Sequence, residues 1–329
     1  MLILSENDIK KVFAMKDAVN AVKEAFSIYS RGKSVVPLRV NIDVKKHEGQ
    51  SLFMPGYVED LDSIGIKIVS VFPKNIEKGK PSVPAQMLLL DGTTGEVCCI
   101  MDGTYLTQLR TGAAAGAASD VLAIKDAKVA ALFGAGGQAI CQLEAILAVR
   151  KIEKVKVYSR DAHKLAEFVK KANLELKNYG ACIVSAESPE EAIKDADIIT
   201  VVTTSTKPVF PGNLVKKGAH INGVGSYTKD MQELDEYIIK GADKVFVDSK
   251  EAVLAEAGDF IKPMEKGVID ENRINGELGE VIFGKMEGRE NDEEITLFKT
   301  VGISVQDVVT AYKIYKKALE EGVGRVVEV

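Results

Sequence analysis

The chain has no tryptophan, only 3 histidines and only 4 cysteines among its 329 residues. With aromatic residues at 6% and no indole, it offers no platform on which nucleic-acid bases could stack. The cysteines (Cys98, Cys99, Cys141 and Cys182) show no CxxC spacing, and the chain is far too long for a disulfide-stapled scaffold. His47, His163 and His220 stand apart from one another in no metal-ligand or triad spacing, so structural roles are expected for them and no metal site is expected. An excess of positive charge is missing too: Lys plus Arg is 43 against 48 for Asp plus Glu, a net charge of -5. That balance speaks against nucleic acid or an anionic membrane as partner. No apolar run approaches the roughly 18 residues a bilayer span needs, and the first residues reach Glu6 and Asp8 too early for a signal peptide. A soluble, cytoplasmic protein is expected. What is present is an ordinary globular mixture, 46% hydrophobic and 28% charged, and at roughly 150 residues per domain the length predicts two domains.

Two rhythms divide the chain. Residues 17 to 31 carry apolar side chains at helical spacing (Ala18, Val22, Ala25, Phe26, Tyr29), with Asp17 to cap the start and Gly32 to end it. Short strand-like runs follow at 36–44, 52–54, 63–72, 86–90 and 96–101, and the turn Asp91-Gly-Thr-Thr-Gly95 makes the last two a hairpin. This first part reads as α+β with antiparallel pairing. The small-residue run 111–119 then predicts a tightly packed helix that bridges the domains. From Ala127 the pattern changes to buried β runs at 129–133, 155–158, 182–184, 198–202, 221–224 and 245–247, most of them separated by helical stretches. That alternation predicts an α/β, doubly wound parallel sheet. Ser304 to Glu321 is helical again, with a Val305, Val308, Val309, Tyr312, Tyr315 stripe, Ser304 and Asp307 as a capping box, and Gly322 as the stop. The charged stretch 287–294 reads as a surface loop.

The strand Val129–Phe133 runs directly into Gly134-Ala-Gly136-Gly137-Gln138-Ala139 and then into a helix. This is G-x-G-x-x-A in the setting the dinucleotide fingerprint requires. Gly134 allows the tight turn, Gly136 lets the backbone approach a pyrophosphate, and Ala139 lets the helix pack close. The free N–H groups of the helix then face the phosphates. Where an NAD site usually has Asp or Glu at the end of the second strand, this chain has Ser159 and Arg160, which can bond and pair a 2′-phosphate. NADP is therefore expected ahead of NAD.

Three cations stand in apolar surroundings in the first domain: Arg39 in Pro37-Leu-Arg-Val-Asn-Ile, Lys67 on the face shared with Val69 and Val71, and Arg110 just before the small-residue helix. Buried alone they would be costly, so each needs an anion, whether a substrate or an internal carboxylate, or a path to solvent. The adjacent pair Cys98-Cys99 faces both sides of a strand, which fits packing.

Taken together, the stretches 106–116, 134–139, 157–160, 203–210, 221–234 and 298–307 resemble the ornithine cyclodeaminase/mu-crystallin family over essentially the whole chain. The resemblance implies a Rossmann domain over 117–303, and a substrate-binding and dimerisation domain over 1–116 with 304–329. It implies a homodimer and a final helix that returns to the first domain. By motif it places Arg39, Lys67 and Arg110 on the substrate carboxylate, with Met54 beside the pocket. It places Thr111, Gly137, Gln138, Thr203, Thr204, Val224 and Gly225 with the fingerprint glycines, Ser159 and Arg160 on the cofactor. Cyclodeaminases of the family carry an Asp after their fifth Rossmann strand; the matching position here is Tyr227, with Asp230 three residues on. A phenol, ordinarily neutral below about pH 10, cannot serve as that carboxylate. The resemblance thus implies a reductase of a small, cyclic imino acid, with Arg110 clamping the carboxylate. Burial among apolar residues beside cationic neighbours would lower the Lys67 pKa, so Lys67 is expected to handle the proton. Ornithine cyclodeaminase, alanine dehydrogenase and a non-enzymatic, crystallin-like binding protein are the alternatives.

Overall fold

Residues 1–328 are described in a computed structural model. They form two units, Met1–Arg110 together with the chain from Ile303, and Thr111–Gly302. The first boundary falls inside the helix Gly103–Leu122, which also contains the position 116 expected from the sequence.

The first unit is built on a mostly antiparallel sheet. Its strands are β1 (Leu2–Leu4), β2 (Ser34–Val35), β3 (Val40–Val44), β4 (Gly49–Val58), β5 (Ser63–Val71), β6 (Ala85–Asp91) and β7 (Val97–Asp102). The order is Arg325–Val326, β1, β7, β6, β5, β4, β2, with β3 also paired to β4. The hairpin β6–β7 is the one its turn residues predicted: the Asp91 carboxylate accepts the N–H groups of Thr93 and Thr94 at 2.8 and 3.2 Å, and Gly95 has φ 77°. β4 runs well beyond the short 52–54 segment seen in the sequence, because Pro55 and Gly56, poor strand formers, pair in register with Ile66 and Gly65. Alternation puts Leu52, Met54, Gly56 and Val58 of β4 inward, with Ser63, Gly65, Lys67 and Val69 of β5.

That inner face is covered by the helix Ser304–Glu320, which also packs on the helix Met15–Ser30. The bare backbones of Gly56 and Gly65 make room for it: a Cβ on Gly56 would lie 2.7 Å from Ser304 Oγ, and one on Gly65 3.0 Å from Val308 Cγ2. Two caps differ from expectation. Asp17 is the third residue of its helix and accepts the Ala14 N–H at 3.2 Å. In the last helix Gln306 caps by accepting the Ile303 N–H at 3.2 Å, Ser304 donates to the Pro55 carbonyl at 2.6 Å, and Asp307 turns inward.

The second unit is the doubly wound sheet. Its strands are β8 (Val129–Phe133), β9 (Lys154–Tyr158), β10 (Cys182–Ser185), β11 (Ile198–Val201), β12 (His220–Gly223), β13 (Lys244–Val247), β14 (Gly276–Glu277) and β15 (Thr296–Lys299). All run parallel in the order β10-β9-β8-β11-β12-β15-β13-β14. From β8 the chain builds outward to β9 and β10, then returns to the other side at β11. That reversal is where such sheets hold their ligands. Among the described residues no helix is long and apolar enough to cross a membrane.

Candidate active site

In the second unit, β8 ends at Phe133 and the chain turns at Gly134, whose φ is 110°. Its N–H donates to the Tyr158 carbonyl at the end of β9 at 3.0 Å, and a Cβ there would sit 2.5 Å from the Val202 carbonyl oxygen. Only glycine fits. Gly136 is exposed, with nothing within 4 Å of an added Cβ, so its backbone is open to a ligand. Gly137 and Gln138 complete the turn, and buried Ala139 begins the helix Ala139–Val149.

Around this turn opens a cavity of about 510 Å³, lined by Gly134, Gly136, Ser159, Arg160, Thr203 and Thr204, with Lys164 and Lys207 adding positive charge. Asp161 also borders it, but its carboxylate is engaged with the Lys164 N–H at 3.0 Å, capping the helix Ala162–Glu175. That bond holds it below the usual carboxylate range. Bare backbone, a helix N-terminus and surplus cations suit the pyrophosphate and adenosine of a dinucleotide. Thr111, Gly137, Gln138, Ala139, Val224 and Gly225 lie outside the lining of this cavity.

In the first unit, Lys67 on β5 is fully buried, and Met54 sits opposite it in the β4–β5 register. Its Nζ donates to Asp307 Oδ1 at 2.8 Å. Arg110, also buried, donates through Nε to the same oxygen at 2.9 Å and through Nη1 to Gln306 Oε1 at 2.9 Å. Two cations thus share one carboxylate oxygen, while Asp307 Oδ2 accepts no hydrogen bond. Burial, then the Arg110 and Arg39 charges, push the Lys67 amine down to about 7 against the opposing pull of Asp307. Arg39 lies outside a strand, in the extended segment just before β3, and is half-buried. Asp307 and Gln306 were missed as site residues. The signal was a carboxylate inside the apolar stripe of the last helix, read there as a cap.

The remaining candidates are quiet. His220 on β12 is buried between Thr296 Oγ1 at 2.8 Å and Asn222 Oδ1 at 3.0 Å, and burial and Arg289 push it down to about 3, so it is neutral. Burial pushes the Cys99 thiol up to about 12, which leaves it inert. Tyr227 is half-buried and Asp230 exposed.

A model of the ornithine cyclodeaminase/mu-crystallin family matches residues 1–322. The chain belongs to this family. Within it, the chain is 40% identical to a Delta(1)-pyrroline-2-carboxylate reductase of Bacillus cereus over all of both chains. The structure of Thermococcus litoralis Delta(1)-pyrroline-2-carboxylate reductase with NADH and L-proline superposes with a TM-score of 0.94 at 46% identity, covering 99% of this chain and 100% of that one. An archaeal alanine dehydrogenase, a dimer with bound NAD, follows at TM-score 0.90 and 38% identity, covering 100% of this chain and 99% of that one. A nicotinamide dinucleotide is the cofactor these family members share.

Proposed function

We propose that this chain reduces the C=N bond of a small cyclic imino acid, such as pyrroline-2-carboxylate or piperideine-2-carboxylate, to the corresponding amino acid. The observation that carries the reading is the charge balance of the Lys67 cluster: buried Lys67 and Arg110, with Arg39 nearby, face the single carboxylate of Asp307. Most of the N–H donors on Lys67 and Arg110 are uncommitted, which suits one incoming carboxylate. Arg110 and Arg39 hold that carboxylate and so orient the ring. Lys67, an amine close to neutrality, gives its proton to the ring nitrogen as the carbon is reduced. When bound, the dinucleotide supplies the hydride. The relatives that act on pyrroline-2-carboxylate support the substrate class.

Cyclodeamination fits less well. Ornithine would bring an ammonium into a pocket already rich in cations, and Tyr227 stands where cyclodeaminases of the family carry their Asp. Alanine dehydrogenation is the second reading, favoured by the archaeal relative. The test is purified protein with NADH or NADPH against both cyclic imino acids, pyruvate plus ammonia, and ornithine, following cofactor absorbance and ammonia release. Fast oxidation of the cofactor with the cyclic imines supports the proposal. Turnover confined to pyruvate plus ammonia selects the dehydrogenase, ammonia release from ornithine the cyclodeaminase, and no turnover a binding protein.

For the cofactor, our reading is NADPH ahead of NADH, because Ser159 and Arg160 line the cavity with Lys164 close by and the Asp161 carboxylate is already engaged. The substitution Ser159→Asp would repel a 2′-phosphate and is expected to move the preference to NADH, measured as the ratio of the two kcat/KM values. Wild-type protein that already prefers NADH refutes it. A homodimer formed through the first unit completes the proposal, resting on the exposed apolar side chains Val35, Leu38, Val40 and Ile42 and on the dimeric relative.

A further inference from the structure

A second group of buried charges lies in the Thr111–Gly302 unit, and nothing derived so far uses it. Glu233, Asp259 and Lys299 are each fully buried. The sheet order explains their place. With the pyrophosphate at Gly134 and Gly136, the adenosine half of a dinucleotide extends over β9, and the nicotinamide half extends over β11 and β12. The chain leaves β11 through Thr203 and β12 through Gly225 and Ser226.

The Glu233 carboxylate spans these two exits. Its Oε1 accepts the Thr203 N–H, and the Thr203 hydroxyl at 2.8 Å; its Oε2 accepts the Ser226 N–H at 2.7 Å. Gly225 is bare for this reason, since a Cβ there would run into the Thr203 carbonyl oxygen and Glu233 Oε1. Glu233 is itself held from behind. Asp259 Oδ1 accepts the N–H groups of Glu233 and Leu234 at 2.7 and 3.0 Å, and Asp259 Oδ2 lies 2.9 Å from Lys299 Nζ at the end of β15.

We propose that Glu233 is a positioning residue for the nicotinamide half of the cofactor, its carboxylate clasping the β11 and β12 exits in one fixed arrangement. The inference rests on the dinucleotide reading above. The clasp needs a charged, acceptor-only group, because three N–H or O–H donors converge on it. A glutamine would present its NH2 to at least one of those donors. Burial pushes the Glu233 carboxyl toward its neutral form, while Lys299 opposes this and Asp259 reinforces it. Lys299 on β15 and Asp259 on the helix Gly258–Glu265 are thus the groups that decide whether the clasp stays ionised.

The experiment measures two affinities for each protein: NADH, by the fluorescence of its reduced nicotinamide, and ADP-ribose, by calorimetry. Glu233→Gln is expected to weaken NADH about tenfold or more, the scale of losing a hydrogen bond to a charged group, with ADP-ribose changed less than about twofold. Lys299→Met, which keeps Glu233 but removes its buried counter-charge, is expected to weaken NADH at neutral pH and to regain affinity as the pH is raised. Parallel weakening of both ligands makes Glu233 a fold-holding residue only and overturns the proposal, as does unchanged NADH binding. Should Glu233→Gln fail to fold, Lys299→Met decides by the same criteria. Wild-type protein that binds neither of these ligands nor NADPH removes the dinucleotide reading, and the proposal with it.

Discussion

Near neutral pH an amine pushed down to about 7 is divided between its two protonation states, and Lys67 is in that position. If it supplies the proton to the imine nitrogen, kcat/KM is expected to hold steady below pH 7 and to fall as the pH rises through about 7, where the free enzyme loses that proton. A bound substrate carboxylate favours the ammonium, so the same limb should lie at higher pH in kcat. Lys67→Arg, whose guanidinium stays protonated throughout, should lose the limb altogether at a reduced rate. A wild-type profile flat from pH 6 to 9 sinks the assignment. The sequence showed that Lys67, Arg110 and Arg39 needed an anion, because a cation among strand residues is legible from its neighbours. It did not show which anion. Asp307 is 240 residues from Lys67, and a carboxylate on a helix's apolar stripe looks like a cap until the facing sheet is known.

At the scale of elements, the returning helix is held by shape and by charge, and the two can be tested separately. Gly56→Val inserts a branched side chain where a Cβ alone would already reach Ser304. It should cost about 1–3 kcal/mol, read as a lower Tm, with the charge cluster intact. Asp307→Asn leaves Lys67 and Arg110 buried without their counter-charge and should cost about 3–5 kcal/mol in urea denaturation. It should also move the high-pH fall of kcat/KM to below pH 7, since Asp307 is the group that raises the Lys67 pKa. Loss of stability below about 1 kcal/mol would mean that the cluster is wetter than its burial indicates. The elements best read from sequence were those with a local cause. Parallel strands buried on both faces leave continuous apolar runs, and Asp91-Gly-Thr-Thr-Gly95 writes its own turn. β4 was legible only in part because Pro55 and Gly56 oppose strand formation locally and are stabilised by partners that sequence reading does not supply.

For the whole molecule, the exposed strand β3 bears on assembly. Val40 and Ile42 are 56% and 52% exposed on it, with Leu38 just before. A strand with apolar side chains in water is an association surface unless something covers it. A second copy of this chain is our proposed cover. Ile42→Lys should then shift the protein from dimer to monomer in light scattering after size exclusion, without loss of helical signal. A wild-type monomer at micromolar concentration would refute that cover.

The order of synthesis gives the Asp307 contact a further meaning. Lys67 leaves the ribosome 240 residues ahead of the carboxylate it pairs with, an interval of roughly 10–50 s at ordinary elongation rates. The parallel sheet has every one of its strands in hand before that moment. β5 should therefore wait open, its lysine hydrated, until the last helix is made. Because the interior strand β15 completes the parallel sheet only just ahead of that helix, the two units of a nascent chain should become protease-resistant together.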